Sequence, residues 1–468
     1  MGKLISTKIL LLTSHVFYNA TAITVISKFY HVCVIPTILA ICGMIILPAT
    51  TANADTWTYA DCVNYAREHN ISLQKSRISE ETASYDLEEV QAQWQPSLDF
   101  ATSHSYVNAP FSNGDKNAYN SSYGLNAGWT IWNGGVRENT IKRDKLQTEI
   151  ARLNTGDIMR TLETDLLQVY INILYAKEAI GIYEEAEKVS LAQADRGKQL
   201  MEAGRMSRVD YARLQSQYEQ DHYSLVNART TYDSRRMELK KLLELGIDAD
   251  IELSEVMWTA EQVLAVLPPM DESYRLAVAT DLKIQGLEKE MESSEYDVAI
   301  AKAGHAPKIA LNAGVGTGYY APGGNFGTGL KLALNEQIGL SLSIPIFDNK
   351  KTKTATARAR AQQLNAQLDI DQRQTELAQT VENWYIDTRS AQARFIAAQS
   401  NLESAKLSDE LCNEQFAIGY VNTVELMTAH NTLIEAQHSL LQAKYMAMLG
   451  HKMIEFYRTA ECHLGIRN

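Results

Sequence analysis

The sequence predicts an α+β membrane protein, written twice over, that combines very long coiled-coil helices with strands too few to close a sheet within one chain. Three observations carry that prediction: proline-free tracts of great length, an internal repeat, and short runs of strict apolar–polar alternation.

The helices come first. The chain has 468 residues and 9 Pro, none of which falls in 111–267 or 346–468. A proline costs about 3 kcal/mol inside a helix, so these tracts permit uninterrupted helices, and their Ala, Gln, Glu, Lys, Arg and Leu content favours them. In the later tract Val381, Trp384, Thr388, Ala391, Phe395, Ala398, Leu402 and Ala405 alternate three and four apart, the spacing that turns one stripe toward a neighbouring helix. The earlier tract carries a matching stripe at Leu166, Val169, Ile173, Ala176, Ile180 and Tyr183. A helix from Val136 to Ala203 runs about 100 Å at ~1.5 Å per residue, beyond the reach of a compact domain.

The repeat comes next. Tyr85-Asp86 and Pro96 recur as Tyr296-Asp297 and Pro307, and Asn70-Ile71 matches Asp281-Leu282, all at an offset of 211. Ile131-Trp132-Asn133 matches Ile346-Phe347-Asp348, Gly204 matches Gly419, and Val209-Asp210 matches Val424-Glu425, at an offset of 215. Each copy reads as a helix of about 40 residues, a Pro, two strands around a loop, a very long helix, a Gly-centred turn and another helix. The expected divisions are 55–246 and 271–460 for the copies, 247–270 for a linker and 461–468 for a tail.

The strands alternate with period two. Ile338, Leu340, Leu342, Ile344 and Ile346 form one apolar series, and Ile309, Leu311, Ala313 and Val315 another. Tyr123, Leu125, Ala127, Trp129 and Ile131 form a third, and Leu98 and Phe100 begin a fourth. A soluble sheet packed on a core would alternate in the same way, but no compact domain nearby offers such a core. Each run approaches the ~9–11 residues of a tilted membrane strand. Trp129, Trp132, Tyr319, Tyr320 and Phe347 at strand ends suit the aromatic girdles of a barrel. The smallest membrane barrels have about eight strands, so several chains must contribute. The loops 110–121 and 321–337, rich in Gly, Asn and Ser, would face outward.

The address agrees. Lys28, the apolar run Val32–Leu47 and Ala52-Asn53-Ala54 read as a signal peptide over 1–54, too short for a spanning helix. Ile41 before Cys42 argues against lipidation. Removal of Lys3, Lys8 and Lys28, with no acid in that segment, takes the formal charge from -12 to -15. That acidity disfavours nucleic acid as a partner and suits a solvated or cation-attracting interior. Cys62, Cys412 and Cys462 would remain, with spacing that fits no disulfide framework or metal motif. The 10 His form no HExxH cluster, no Gly-x-Ser-x-Gly elbow occurs, and the glycines at 314, 316 and 318 lie in a strand rather than before a helix. Neither an enzyme nor a cofactor is expected.

In their order these features resemble the TolC-like outer-membrane efflux proteins over nearly all of the chain after the signal. The residues that carry the resemblance are the repeat, the Trp57–Asn70 segment and the helix ending at Trp94-Gln95-Pro96, the run from Trp129 to Gly135, and the turns at Gly204 and Gly419. The resemblance implies a homotrimer: a twelve-stranded barrel in outer-membrane lipid continuous with a helical barrel across the periplasm, fed by an inner-membrane transporter through a periplasmic adaptor.

Function should then concentrate at the two turns. Ser207-x-x-Asp210 and Asn422-x-x-Glu425 each pair a helix cap with an acid three residues on, and capping by itself explains them well. The resemblance implies in addition that Ala203, Gly204, Arg205 and Met206, with Ile418, Gly419, Tyr420 and Val421, form the adaptor-docking tip. It implies a periplasmic gate at Glu425, Thr428 and Asp210. Thr428 replaces what can be a second acid, and Val421 stands where a basic partner of Asp210 can occur, which leaves Arg205 or Arg208 as candidates for that pairing. A secreted coiled-coil scaffold or adhesin stalk shares the heptads and the signal, yet gives no reason for matched strand pairs in both copies.

Overall fold

The computed structural model describes residues 56–108, 110–111, 117–321, 325–460 and 464. The segment 1–54 expected to be a signal peptide, and Cys462, lie outside the described residues. In chain order the elements are β1 (Thr56–Trp57), α1 (Tyr59–His69), α2 (Ile71–Ala92), β2 (Ser97–Asn108), β3 (Asn117–Trp132), α3 (Val136–Glu202) and α4 (Arg208–Leu242). A linker with β4 (Glu252–Leu253) and α5 (Ala260–Val263) follows. The second copy has α6 (Met270–Thr280), α7 (Leu282–Lys302), β5 (Lys308–Ala321), α8 (Phe326–Leu332), β6 (Asn335–Ser343), α9 (Lys351–Ala417) and α10 (Thr423–Thr459).

The two copies match almost residue for residue in helix length: 11, 22, 67 and 35 residues in the first, 11, 21, 67 and 37 in the second. The opening helix of each copy is two helices rather than one of forty residues. Asn70 and Asp281 break it: each has extended backbone, and its side chain accepts the N–H of Leu73 or Ile284. Those cap bonds satisfy donors that the next helix leaves open, so a break at a capping residue costs little.

Burial concentrates where α3, α1, the linker and α10 meet. Leu166, Leu167, Tyr170 and Ile173 of α3 pack with Tyr59 and Cys62 of α1, Leu253 of the linker and Leu441 of α10. Each large side chain buried there contributes about 1.5–3 kcal/mol. The Tyr170 hydroxyl donates to the Ser254 carbonyl at 3.0 Å, and parallel pairing of β1 with β4 ties the start of the described chain to the linker. Burial pushes the Cys62 thiol up to about 12, so it serves as a packed apolar group. In α9 the stripe is buried at Val381, Thr388, Ala391, Phe395, Ala398 and Ala405, with Tyr385 added. In α3 it is buried through Ala176 and then drifts to Ala179, Ala186 and Ala194, which leaves Ile180 and Tyr183 half-buried.

The sheet order is β2-β3-β5-β6, antiparallel throughout. Its register aligns every apolar series on one face: Phe100 lies opposite Leu125, Leu125 opposite Val315, Trp129 opposite Leu311, and Leu311 opposite Leu340. The other face carries Asn126, Gly128, Asn312, Gly314, Gln337, Gly339 and Ser341. A one-residue slip would mix the two faces, so the pattern itself fixes the register. Leu98, Phe100, Ile338, Leu340 and Leu342 are all more than 60% exposed in the single chain, a broad apolar surface that none of the described residues covers. The outer edges of β2 and β6 have no partner strand among the described residues.

Several local features differ from the expectation. β2, β3 and β5 span 12, 16 and 14 residues, longer than anticipated, so the first loop is shorter. Ile344 and Ile346 continue the alternation beyond the end of β6, before Pro345 and after it. A bulge falls at Ile131, and α8 folds in the second loop, with Phe326 edge-on to Tyr319 at 5.1 Å.

One junction centres on a buried arginine. Arg137, 1% exposed, donates to the carbonyls of Gln93 (3.0 Å), Thr130 (2.8 Å) and Ile131 (3.1 Å), and its guanidinium lies 3.5 Å from the centre of the Trp94 ring. It joins the end of α2, the last turn of β3 and the first turn of α3.

Candidate functional site at the two helical turns

The long helices end alike. Gly204, at φ +69°, donates its N–H to the Met201 carbonyl at 3.0 Å, and Arg205 donates to Leu200 at 2.8 Å. Gly419, at φ +79°, donates to Phe416 at 3.1 Å, and Tyr420 to Gln415 at 2.9 Å. This pair of bonds, closed by a left-handed glycine, satisfies the last carbonyls of each helix. A side chain at either glycine would meet open space, so what demands glycine is backbone conformation rather than crowding.

Ser207 and Asn422 cap the returning helices. Ser207 Oγ accepts the N–H of Asp210 at 3.0 Å, and Asn422 Oδ1 accepts those of Val424 (2.9 Å) and Glu425 (3.0 Å). The Glu425 carboxylate accepts from Asn422 Nδ2 at 3.1 Å, and Thr428 Oγ1 donates to the Val424 carbonyl at 2.8 Å. Both Glu425 and Thr428 are exposed, one turn apart on the same side of α10.

Asp210 has a different set of partners from those expected. It accepts from Ser207 Oγ at 2.7 Å, from Thr423 Oγ1 of the second copy at 2.9 Å, and from Arg213 at 3.3 Å. Arg213 lies one turn on in the same helix and reaches the carboxylate, so Arg205 and Arg208 do not take that role. The Ser207 hydroxyl first, then the Thr423 hydroxyl and the Arg213 guanidinium, hold the Asp210 carboxyl below its usual range. Thr423 supplies, from the second copy, the link that Val421 cannot.

Further bonds join the hairpin α3–α4 to the hairpin α9–α10. Gln193 donates to Asn413 at 2.9 Å, Arg196 to the Ala417 carbonyl at 3.2 Å, and Gln217 to Asn431 at 2.9 Å. Beneath them Ala194, Leu214 and Leu426 form a small core, with Met206 half-buried against it. Ile418 and Tyr420, about 80% exposed, project from the second turn, and Ala203, Gly204 and Arg205 are exposed on the first. Large exposed apolar groups on an otherwise polar turn suit recognition by a partner. No cluster of three or more His, Cys, Asp or Glu that could hold a metal occurs among the described residues, nor does any helix there have the length and apolarity to cross a membrane.

The profile of the family described as "Outer membrane efflux protein" matches residues 62–244 and 274–448, one segment in each copy and together most of the chain. The chain belongs to the outer membrane efflux protein family. Among its relatives, the alkaline protease secretion protein AprF of Pseudomonas aeruginosa is 23% identical over 295 residues, 62% of this chain and 60% of AprF, so the match spans less than two thirds of that relative. Outer membrane protein TolC of Escherichia coli is 21% identical over 407 residues, 83% of this chain and 80% of TolC. The solved structure of CusC superposes with a TM-score of 0.73 at 16% identity, covering 85% of this chain and 91% of that one. The Campylobacter jejuni CmeC outer membrane channel gives 0.69 at 17%, covering 86% and 85%. Members of this efflux family share the α+β channel fold, a conduit rather than an enzyme, in the outer membrane with its helices in the periplasm.

Sequence reasoning missed Thr423, Arg213 and the amide pairs between the hairpins. The signal for Thr423 was its place beside a recognised cap; Gln193, Gln217, Asn413 and Asn431 look like ordinary helix-surface residues until the hairpins are brought together.

Proposed function

We propose that this chain is the exit duct of a tripartite efflux pump or a type I secretion system. Three copies close a twelve-stranded barrel in outer-membrane lipid, edge β6 of one copy pairing with edge β2 of the next. The helices of 55–246 and 271–460 form a tunnel across the periplasm. A periplasmic adaptor docks on the tip at Ala203–Met206 and Ile418–Val421, and an inner-membrane transporter delivers substrate that passes through passively. The observation that carries this reading is the four-stranded sheet, with its aligned exposed apolar face and its two unpaired edges, mounted on helices of 67 residues. A coiled-coil scaffold gives that face no use.

At the tip, Glu425 and Asp210 constrict the tunnel, with Thr428 one turn above. A ring of Glu425 carboxylates from the three copies repels anions and favours closure by cations or water. Glu425→Ala should raise single-channel conductance in planar bilayers severalfold while leaving the cap Asn422 in place; an unchanged conductance would reduce Glu425 to a partner of its own cap. Gly204→Pro and Gly419→Pro remove a turn hydrogen bond and forbid the left-handed backbone. Each should restore drug sensitivity to a strain that depends on this duct while the heat-modifiable trimer persists, and full resistance in both variants would refute adaptor docking at the turns.

A further inference from the structure

A helix in a loop at the mouth of a barrel either stands over the lumen or lies against the outside of the wall. For α8 the contacts decide. Thr317 Oγ1 donates to the Leu330 carbonyl, the Phe326 ring meets that of Tyr319 edge-on at 5.1 Å, and a Cβ at Gly329 would stand 2.6 Å from the same ring. Phe326, Gly329 and Leu330, spaced three and four apart, share the face of the helix that makes these contacts. Along β5, Thr317 and Tyr319 continue the alternate series of Leu311, Ala313 and Val315. α8 therefore rests on the apolar face of the sheet.

The depth of that contact follows from the register. Trp129 stands at the end of the apolar face from which α3 departs, and Tyr106, opposite Tyr119, stands at the far end. From Trp129 to Tyr119 the strand runs about 33 Å at ~3.3 Å per residue, or ~25 Å of height at a tilt of about 40°. An apolar band of that height, between aromatic girdles, is what a membrane barrel turns to lipid. Tyr319 lies opposite Ser121, just inside Tyr119, so α8 sits at the girdle farther from the long helices. Its free side is not polar: Leu332 is 83% exposed, and Leu334, on the short link to β6, is 58% exposed.

We propose that α8 is a membrane-interfacial element: it lies on the lipid side of the barrel wall in the outer leaflet, at the boundary of headgroups and acyl chains, with Leu332 and Leu334 turned into lipid. The occupant is lipid because the patch is continuous with Leu311, Val315 and Leu340, the surface that the barrel turns to the bilayer. Lys331, exposed beside Leu332, has the reach to set its amine among headgroup phosphates while its stem stays in the apolar zone. The helix thus leaves the mouth of the channel open.

This placement rests on the channel reading, and one experiment keeps the two apart. The photoreactive residue p-benzoylphenylalanine is introduced singly in place of Leu332, of Leu340 on the apolar face, or of Ser341 on the polar face. Each protein, extracted whole from membranes and reconstituted in phosphatidylcholine vesicles, is irradiated and its adducts are weighed by mass spectrometry. Lipid adducts at 332 should match those at 340 and exceed those at 341 severalfold. Lipid captured at 340 but only the level of 341 at 332 would overturn the interfacial helix and leave the barrel standing. A crosslink from 332 to a second chain in place of lipid would overturn it too, by assigning α8 to contact between copies. Lipid captured at neither 332 nor 340 would retract the lipid-facing wall together with the helix laid on it.

Discussion

Arg137→Ala should lower stability by at least ~3 kcal/mol and release the barrel from its helices. The buried guanidinium serves three carbonyls at partly buried bonds, those of Gln93, Thr130 and Ile131, and stacks on Trp94. Alanine leaves those carbonyls without donors at about 1–3 kcal/mol each, and removes a shielded cation–π contact worth roughly 0.5–2 kcal/mol. Arg137→Lys keeps the charge but not the planar fork, so it should recover less than half of the loss. The midpoint of thermal conversion from folded oligomer to unfolded monomer, read by electrophoretic migration, measures both. Wild-type midpoints in Arg137→Ala would show that the junction is held elsewhere.

The second large effect concerns the sheet. Leu340 lies on the exposed apolar face in edge strand β6, opposite Leu311, which is itself opposite Trp129. If lipid covers that face, Leu340→Arg costs about 2–4 kcal/mol near the bilayer midplane. Ser341, the next residue, points to the polar face, and Ser341→Arg should be tolerated in assembly while changing ion selectivity. Recovery of each variant from outer membranes as folded oligomer tests the pair. Equal tolerance of both, or the reverse order, would mean that the apolar face looks inward.

Much of this was legible because it is periodic. Alternation along Ile309–Val315 and Ile338–Leu342 identified the strands, and the registers of β3, β5 and β6 then brought their apolar residues onto one face. The proline-free tract gave α3 to within a residue at its C-terminal end. What escaped notice depends on distant or single residues. A lone arginine one residue into a helix gives no sign that it will be buried, and Arg137 becomes informative only when Trp94 and the end of β3 arrive around it. Asn70 and Asp281 were seen as matching positions but not as breaks, because two good helix-forming tracts on either side outweigh one capping residue locally. The pairing of β1 with β4 joins residues nearly two hundred positions apart over two residues, too short to leave a pattern. At the tip, Ser207, Asn422 and the two glycines announce themselves by local chemistry, whereas Thr423 owes its role to the meeting of the two copies.

The central claim is that one chain cannot complete its own sheet: the free edges of β2 and β6 find each other between copies, and lipid covers the apolar face. Native mass spectrometry of the membrane-extracted protein, released from detergent micelles, tests it most directly. A single species of three chains, lost when detergent is withdrawn, is the predicted result; one chain, stable and soluble without detergent, would contradict it.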